Sequence, residues 1–98
     1  MLIYRVTEQF PETERYGLSA QMRRCAVSVP SNVAEGFRRG HSKEFKQFLN
    51  ISLGSLAELE TQVVIAKGLR YLNEQAEADL LELIDHVSRM ITNLMKRL

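Results

Sequence analysis

Cationic side chains are the residues of this sequence best placed to act on something else. Arginines stand in pairs at Arg23–Arg24 and Arg38–Arg39, at the two ends of the stretch RRCAVSVPSNVAEGFRRG, and Lys43 and Lys46 follow. From Arg15 to Lys46 there are seven basic residues (Arg15, Arg23, Arg24, Arg38, Arg39, Lys43, Lys46) against two acids, Glu35 and Glu44. From Asn50 onward there are five basic residues and seven acids, and the whole chain carries a net charge of +1. Such a division suits a polyanion held on the basic half, or two halves that complement each other within an assembly. On one continuous helix Arg23 and Arg38 lie about 22 Å apart, a spacing that suits contact with several phosphates. Arg38, Arg39, His41 and Lys43 also surround the start of the following helix, where free backbone donors attract anions. Arg23, Arg38, Arg39, Lys43 and Lys46 are therefore the candidate contacts to RNA or DNA. A solvated basic surface is the competing reading. The loop GFRRGHSK has the wrong spacing for a phosphate loop and follows no strand, which excludes nucleotide hydrolysis by that motif.

A second set of polar residues runs beside the apolar faces. Gln21, Arg24, Ser28, Asn32 and Glu35 step by three, four, four and three, and Ser55, Glu58 and Gln62 form a similar row further on. Rows of this kind meet where helices or subunits touch, either as a polar site or as a hydrogen-bond network that fixes packing register. Arg24 is expected to turn inward and pair with Glu58 or Glu35, because a half-buried charge left alone costs several kcal/mol.

Catalytic chemistry finds little support. His41 and His86 are the only histidines. Neither has a glutamate three positions earlier, as a di-iron bundle site wants, and zinc-ligand spacing is absent. Cys25 falls on an apolar face and reads as a small core residue. Glu35 and Glu58 make a carboxylate pair of a kind common in bundles. The expectation is a protein that is not an enzyme and has no metal or other cofactor.

The elements that must position these residues are helices. Leu2, Ile3, Val6 and Phe10 suggest a short first helix. Pro11, with Glu12 and Glu14 behind it, suits the start of a second. Leu18, Met22, Cys25, Val29 and Val33 form one face of that helix, which is expected to run on to Phe37. Pro30 lies inside the face and either kinks the helix or stops it, and persistence of the pattern favours a kink. Gly36 and Gly40 are expected to end it. Ser42 is placed to cap a third helix with the seam Phe45, Leu49, Ser52, Leu56, Leu59, Val63 and Ala66, ending near Gly68. Asn73 is placed to cap a fourth, with the seam Ala76, Leu80, Leu83, Val87, Ile91, Leu94 and Leu98. Short turns between them give an all-α, up-down-up-down four-helix bundle, one domain over 1–98.

Phe48, Ile51, Leu53, Val64, Ile65 and Leu69 fall outside the third seam. A helix apolar nearly all round is buried nearly all round, so this surplus predicts a subunit interface; scattered surface apolar residues are the plainer alternative. No apolar run reaches a membrane span, the N-terminus lacks the pattern of a signal peptide, and a single cysteine allows no intrachain disulfide. A cytoplasmic protein with no membrane partner is expected.

The motifs ERYGL, Q-x-RR, SVPSN-x-AEG, EF-x-x-FL and GS-x-AELE, all between Phe10 and Leu72, resemble the bacterial family of 23S rRNA intervening-sequence proteins. Asn73 to Leu98 follows the same family by general pattern. The resemblance implies a four-helix bundle assembled into a homopentamer. The chain is also similar to the accessory protein of diversity-generating retroelements, a pentameric barrel associated with nucleic acid and a reverse transcriptase. A nucleic-acid enzyme is therefore an alternative partner, with the chain as its scaffold. Relatives usually carry more residues before the segment YRVTEQF. This implies a shortened first helix that exposes seam residues such as Leu56 and Val87, weakening the fold or leaving a gap for a neighbouring subunit.

Overall fold

The computed structural model describes all residues, 1–98. Four helices follow one another in an up-down-up-down course: α1 (Leu2–Thr7), α2 (Leu18–Arg38), α3 (Ser42–Gly68) and α4 (Glu74–Lys96). The long dimension of the molecule, 43 Å, is close to the ~40 Å expected for the 27 residues of α3. Helix α3 is the central rod. Both α2 and α4 pack along it, while α1 lies between α2 and α4 on the far side and does not touch α3's backbone. No Cα of α2 comes within 8 Å of one in α4.

The expected faces form the core. Met22, Cys25 and Val29 from α2 meet Leu49, Leu56, Leu59, Val63 and Ala66 from α3, and Leu80 and Ile91 from α4. Full burial of each large apolar side chain contributes roughly 1.5–3 kcal/mol, so this shared seam is what holds three long helices together. Ser52 is fully buried in it and donates to the Val29 carbonyl at 2.9 Å. That bond ties α3 to α2 beside Pro30.

Several local expectations give way. Helix α2 begins only at Leu18. Glu12–Glu14 form a single 3₁₀ turn after Pro11, and Gly17 breaks the path with ψ −113°. Glu14 instead caps α2 from outside, its Oε1 accepting from the Leu18 amide at 3.1 Å. Pro30, as expected, does not stop α2, which runs on through it. Gly36 does not end the helix either. It is buried where α2 crosses α3, and a Cβ there would stand 2.6 Å from the Cβ of Phe48. The terminator is Gly40, in the left-handed region at φ 77°.

Phe37 is not part of the core: it is 71% exposed and sets its ring edge-on to Phe45. On α4 the buried position is Ile84, not Leu83, because α4 covers α1 as well as α3 and its stripe is turned accordingly. Ser42 is already the first residue of α3, and no side chain caps that end. Asn73 caps α4 as expected, its Oδ1 accepting from the Ala76 amide at 2.7 Å. The shortened α1 leaves Val87 half-buried, but Leu56 stays buried.

Candidate nucleic-acid interface

The turn Arg39–His41 joins α2 to α3 and gathers most of the candidate cations at one end of the bundle. Arg38 closes the last turn of α2, where a cation favours the negative end of the helix. It is exposed, and neither Arg38 nor Lys43 has a carboxylate within 4 Å. Lys46 is half-buried, one turn further along α3, and is also unpaired. Since α3 starts without a side-chain cap, its first amide donors face the same corner. Phe37 stands among these cations with an exposed ring.

Two of the candidates are held by the chain itself. Arg39 pairs with Glu35 one turn back at 3.0 Å and lies 5.1 Å over the Phe48 ring. Arg23 turns toward α1: its Nε donates to Thr7 Oγ1 at 2.8 Å, and its guanidinium covers the Tyr4 ring at 4.8 Å. The structure thus brings Arg38, Arg39, Lys43 and Lys46 together and leaves Arg23 apart, engaged at the α1–α2 contact.

The second polar set divides as well. Ser28 and Ser55 hydroxyls meet at 2.9 Å between α2 and α3, and Asn32 Nδ2 donates back to the Ser28 carbonyl and hydroxyl. This part is the register-fixing network. Gln21, Arg24 and Glu58 are exposed. Arg24 does not turn inward to pair with Glu58 or Glu35: no carboxylate lies within 4 Å of it, and Glu35 is taken by Arg39. Arg24 has the outward side of α2 because Cys25 and Ala26 hold the buried one.

Burial raises the Cys25 thiol pKa, and the neighbouring Glu58 adds to this through hydrogen bonding and its charge; Gln62 and Arg24 oppose the rise. The thiol therefore stays protonated at neutral pH, which suits packing and not nucleophilic attack. Gln62 is buried, and its Oε1 has no hydrogen-bond partner.

Sequence reasoning missed Glu14 and Tyr71. The Tyr71 hydroxyl donates to Glu14 Oε2 at 2.9 Å, joining the α3–α4 turn to the start of α2. This bond to a carboxylate raises the phenol's pKa. The two are 57 positions apart, so no local pattern announces the pair. No helix is long and apolar enough to cross a membrane, and nowhere do three or more His, Cys, Asp or Glu stand together as metal ligands would.

Among known proteins, no curated one matches the chain. The family model described as 23S rRNA-intervening sequence protein matches residues 1–93.

Proposed function

The chain belongs to the family of 23S rRNA-intervening sequence proteins, and we propose that it works as a non-catalytic subunit of a homo-oligomer, a pentamer as the sequence resemblance implies, that binds RNA or DNA through the α2–α3 corner. The observation that carries the binding reading is the pair of unneutralised cations there, Arg38 and Lys43, beside an uncapped helix start. Cations without carboxylates are free to displace counterions from phosphate. The exposed Phe37 ring beside them offers a face on which an unpaired base can stack. Contacts of this kind follow the phosphate backbone and are largely independent of sequence.

Assembly is supported by the free side of α3. From Gln47 to Ala66 that helix carries only two charges, Glu58 and Glu60, while Ile51, Val64, Ile65 and Leu69 are each close to half exposed. A ring of subunits repeats the basic corner, and several weak contacts then act as one strong one.

The test is binding of a structured RNA to the intact protein across a salt series. Affinity is expected to fall steeply with salt, and Arg38→Ala with Lys43→Ala to weaken binding and flatten the salt slope by about two contacts. Absence of binding at low salt removes this reading. Retention of a nucleic-acid enzyme after nuclease treatment, with no RNA bound, supports the scaffold reading in its place.

A further inference from the structure

The end of the bundle opposite the α2–α3 corner holds a cavity that nucleic-acid binding at that corner does not use. It has a volume of about 360 Å³ and lies between α1, the α3–α4 turn and the first turns of α4. That size is at the small end of ligand sites and suits a small metabolite. On the α1 side it is bordered chiefly by Arg5, Val6 and Gln9, toward the end of that helix remote from Met1.

The walls are fixed by contacts that leave the charged lining groups free. Arg23 clamps α1 to α2 through Thr7. Tyr71, in the α3–α4 turn, is held by its bond to Glu14 and by the Phe10 ring, whose centre is 5.3 Å from its own. Asn73 is occupied in capping α4. Two charged side chains border the cavity, one of each sign. Arg5 has no carboxylate within 4 Å, and Asp79 is in no ion pair. Asp79 Oδ1 accepts from Gln75 Nε2 at 2.8 Å, which steadies the carboxylate and leaves its Oδ2 unshared. Val6, Leu72 and Ala76 supply an apolar bed beside the Tyr71 ring.

We propose that this cavity binds a free α-amino acid with an apolar side chain, its carboxylate on Arg5 and its ammonium on Asp79. Charge decides the class of ligand. A simple anion gains Arg5 but also faces the Asp79 carboxylate, and a simple cation meets the reverse conflict. A molecule that carries both charges satisfies both with charge-assisted hydrogen bonds. Since Arg5 and Asp79 stand more than 4 Å apart, they do not neutralise each other, and the zwitterion bridges them. Its apolar side chain then displaces water from Val6, Leu72 and Ala76.

The test uses L-leucine and two analogues that each lack one charge: 4-methylpentanoate, without the ammonium, and isopentylamine, without the carboxylate. Each is titrated into the full chain and followed by backbone amide shifts. Leucine is expected to move the amides of residues 5–9 and 71–79, which border the cavity, and to bind about tenfold more tightly than either analogue. Asp79→Asn should weaken leucine by about the same factor and leave 4-methylpentanoate no weaker. Arg5→Gln should likewise weaken leucine and leave isopentylamine no weaker. Both residues are exposed, so the variants keep the fold, with thermal melts as the check. Three results overturn the proposal. One is the absence of shifts in these two segments at the solubility limit of leucine. Another is equal binding of leucine and both analogues, as in a merely apolar crevice. The third is either variant weakening all three compounds alike, as a displaced wall would.

Discussion

Arg23 and Thr7 lock the first helix to the second. The arginine Nε donates to the threonine Oγ1 at 2.8 Å, and that same hydroxyl donates to the Ile3 carbonyl at 2.7 Å inside α1. The guanidinium then lies over Tyr4 on the same helix. Six residues are too few for a helix to persist by its own propensity, so α1 depends on this clamp and on burial of Ile3. Arg23→Ala is expected to cost about 1–2 kcal/mol and to lower the melting temperature by several degrees. Backbone amides of residues 2–7 should exchange faster, while RNA affinity holds. A variant that melts like the parent but loses RNA would show that Arg23 reaches phosphate and does not serve as a clamp.

Gly36 sets the spacing of α2 and α3. Its missing Cβ lets the Phe48 and Phe45 side chains press against the α2 backbone. Gly36→Ala would gain helix propensity but force two aromatic side chains aside, and overpacking of that kind costs about 1–3 kcal/mol. The net expectation is destabilisation, read as an earlier midpoint in urea. Gly54→Ala is the control: its site is open, so its folding midpoint should rise. Equal effects of the two substitutions would mean that the contact at Gly36 is loose.

These positions also mark how far the sequence could be read. Four helices and most of their buried faces were legible because apolar spacing is local and repeats along tens of residues. Ile84 and Leu83 are neighbours on one turn; which is buried depends on where α1 lies, and that is long-range information. Gly36 read as a stop because glycine commonly ends helices, and the reason for this one sits on another helix, at Phe48. Among the cations, the sequence pattern placed Arg23 outward and Arg24 inward, and the structure reverses both. Only the placement of α1 beside Thr7 sends one toward the protein and leaves the other in solvent. The corner of Arg38, Lys43 and Lys46 was legible because a short turn joins its two helices.

Cys25 should behave as a slow thiol. Burial first, and Glu58 second, raise its pKa, so the thiolate that reacts is scarce at neutral pH. Alkylation by iodoacetamide in the folded protein is expected to rise with pH through a midpoint above the usual cysteine range. Glu58→Gln removes the carboxylate charge and should lower that midpoint, speeding reaction severalfold at pH 8. An unchanged midpoint would show that burial alone protects the thiol.

Tyr71 gives the fold an alkaline limit. Hydrogen bonding to the Glu14 carboxylate raises its pKa above the ordinary phenol value. A group whose pKa is higher folded than unfolded contributes fully below the unfolded pKa, and that contribution is lost as pH rises through the folded one. Stability should therefore decline from about pH 10 upward. Absorbance titration of the three tyrosines should show one late transition, and Glu14→Gln should return it to the ordinary range. The variant keeps an oxygen for the Leu18 amide, so α2 retains its cap. A late transition that survives the substitution would point to another cause.

Arg70 occupies a place that glycine fits better. It follows the end of α3 in the left-handed region at φ 66°, the only non-glycine residue there. The Tyr71 amide reaches back to the Ala66 carbonyl at 2.9 Å and the Arg70 amide to the Lys67 carbonyl at 3.0 Å, which is the closing pattern that favours glycine at this position. A side chain in that conformation costs about 1–2 kcal/mol, and the exposed Arg70 makes no ion pair in return. Glycine gives back part of the gain through the freedom of the unfolded chain. Arg70→Gly should therefore stabilise by about 0.5–1 kcal/mol, and Arg70→Ala should not, because alanine keeps the Cβ that causes the strain. A thermal melt of the three proteins decides it: glycine above both others supports the strained turn, and alanine equal to glycine would mean that the arginine's charge, not its backbone, was the cost.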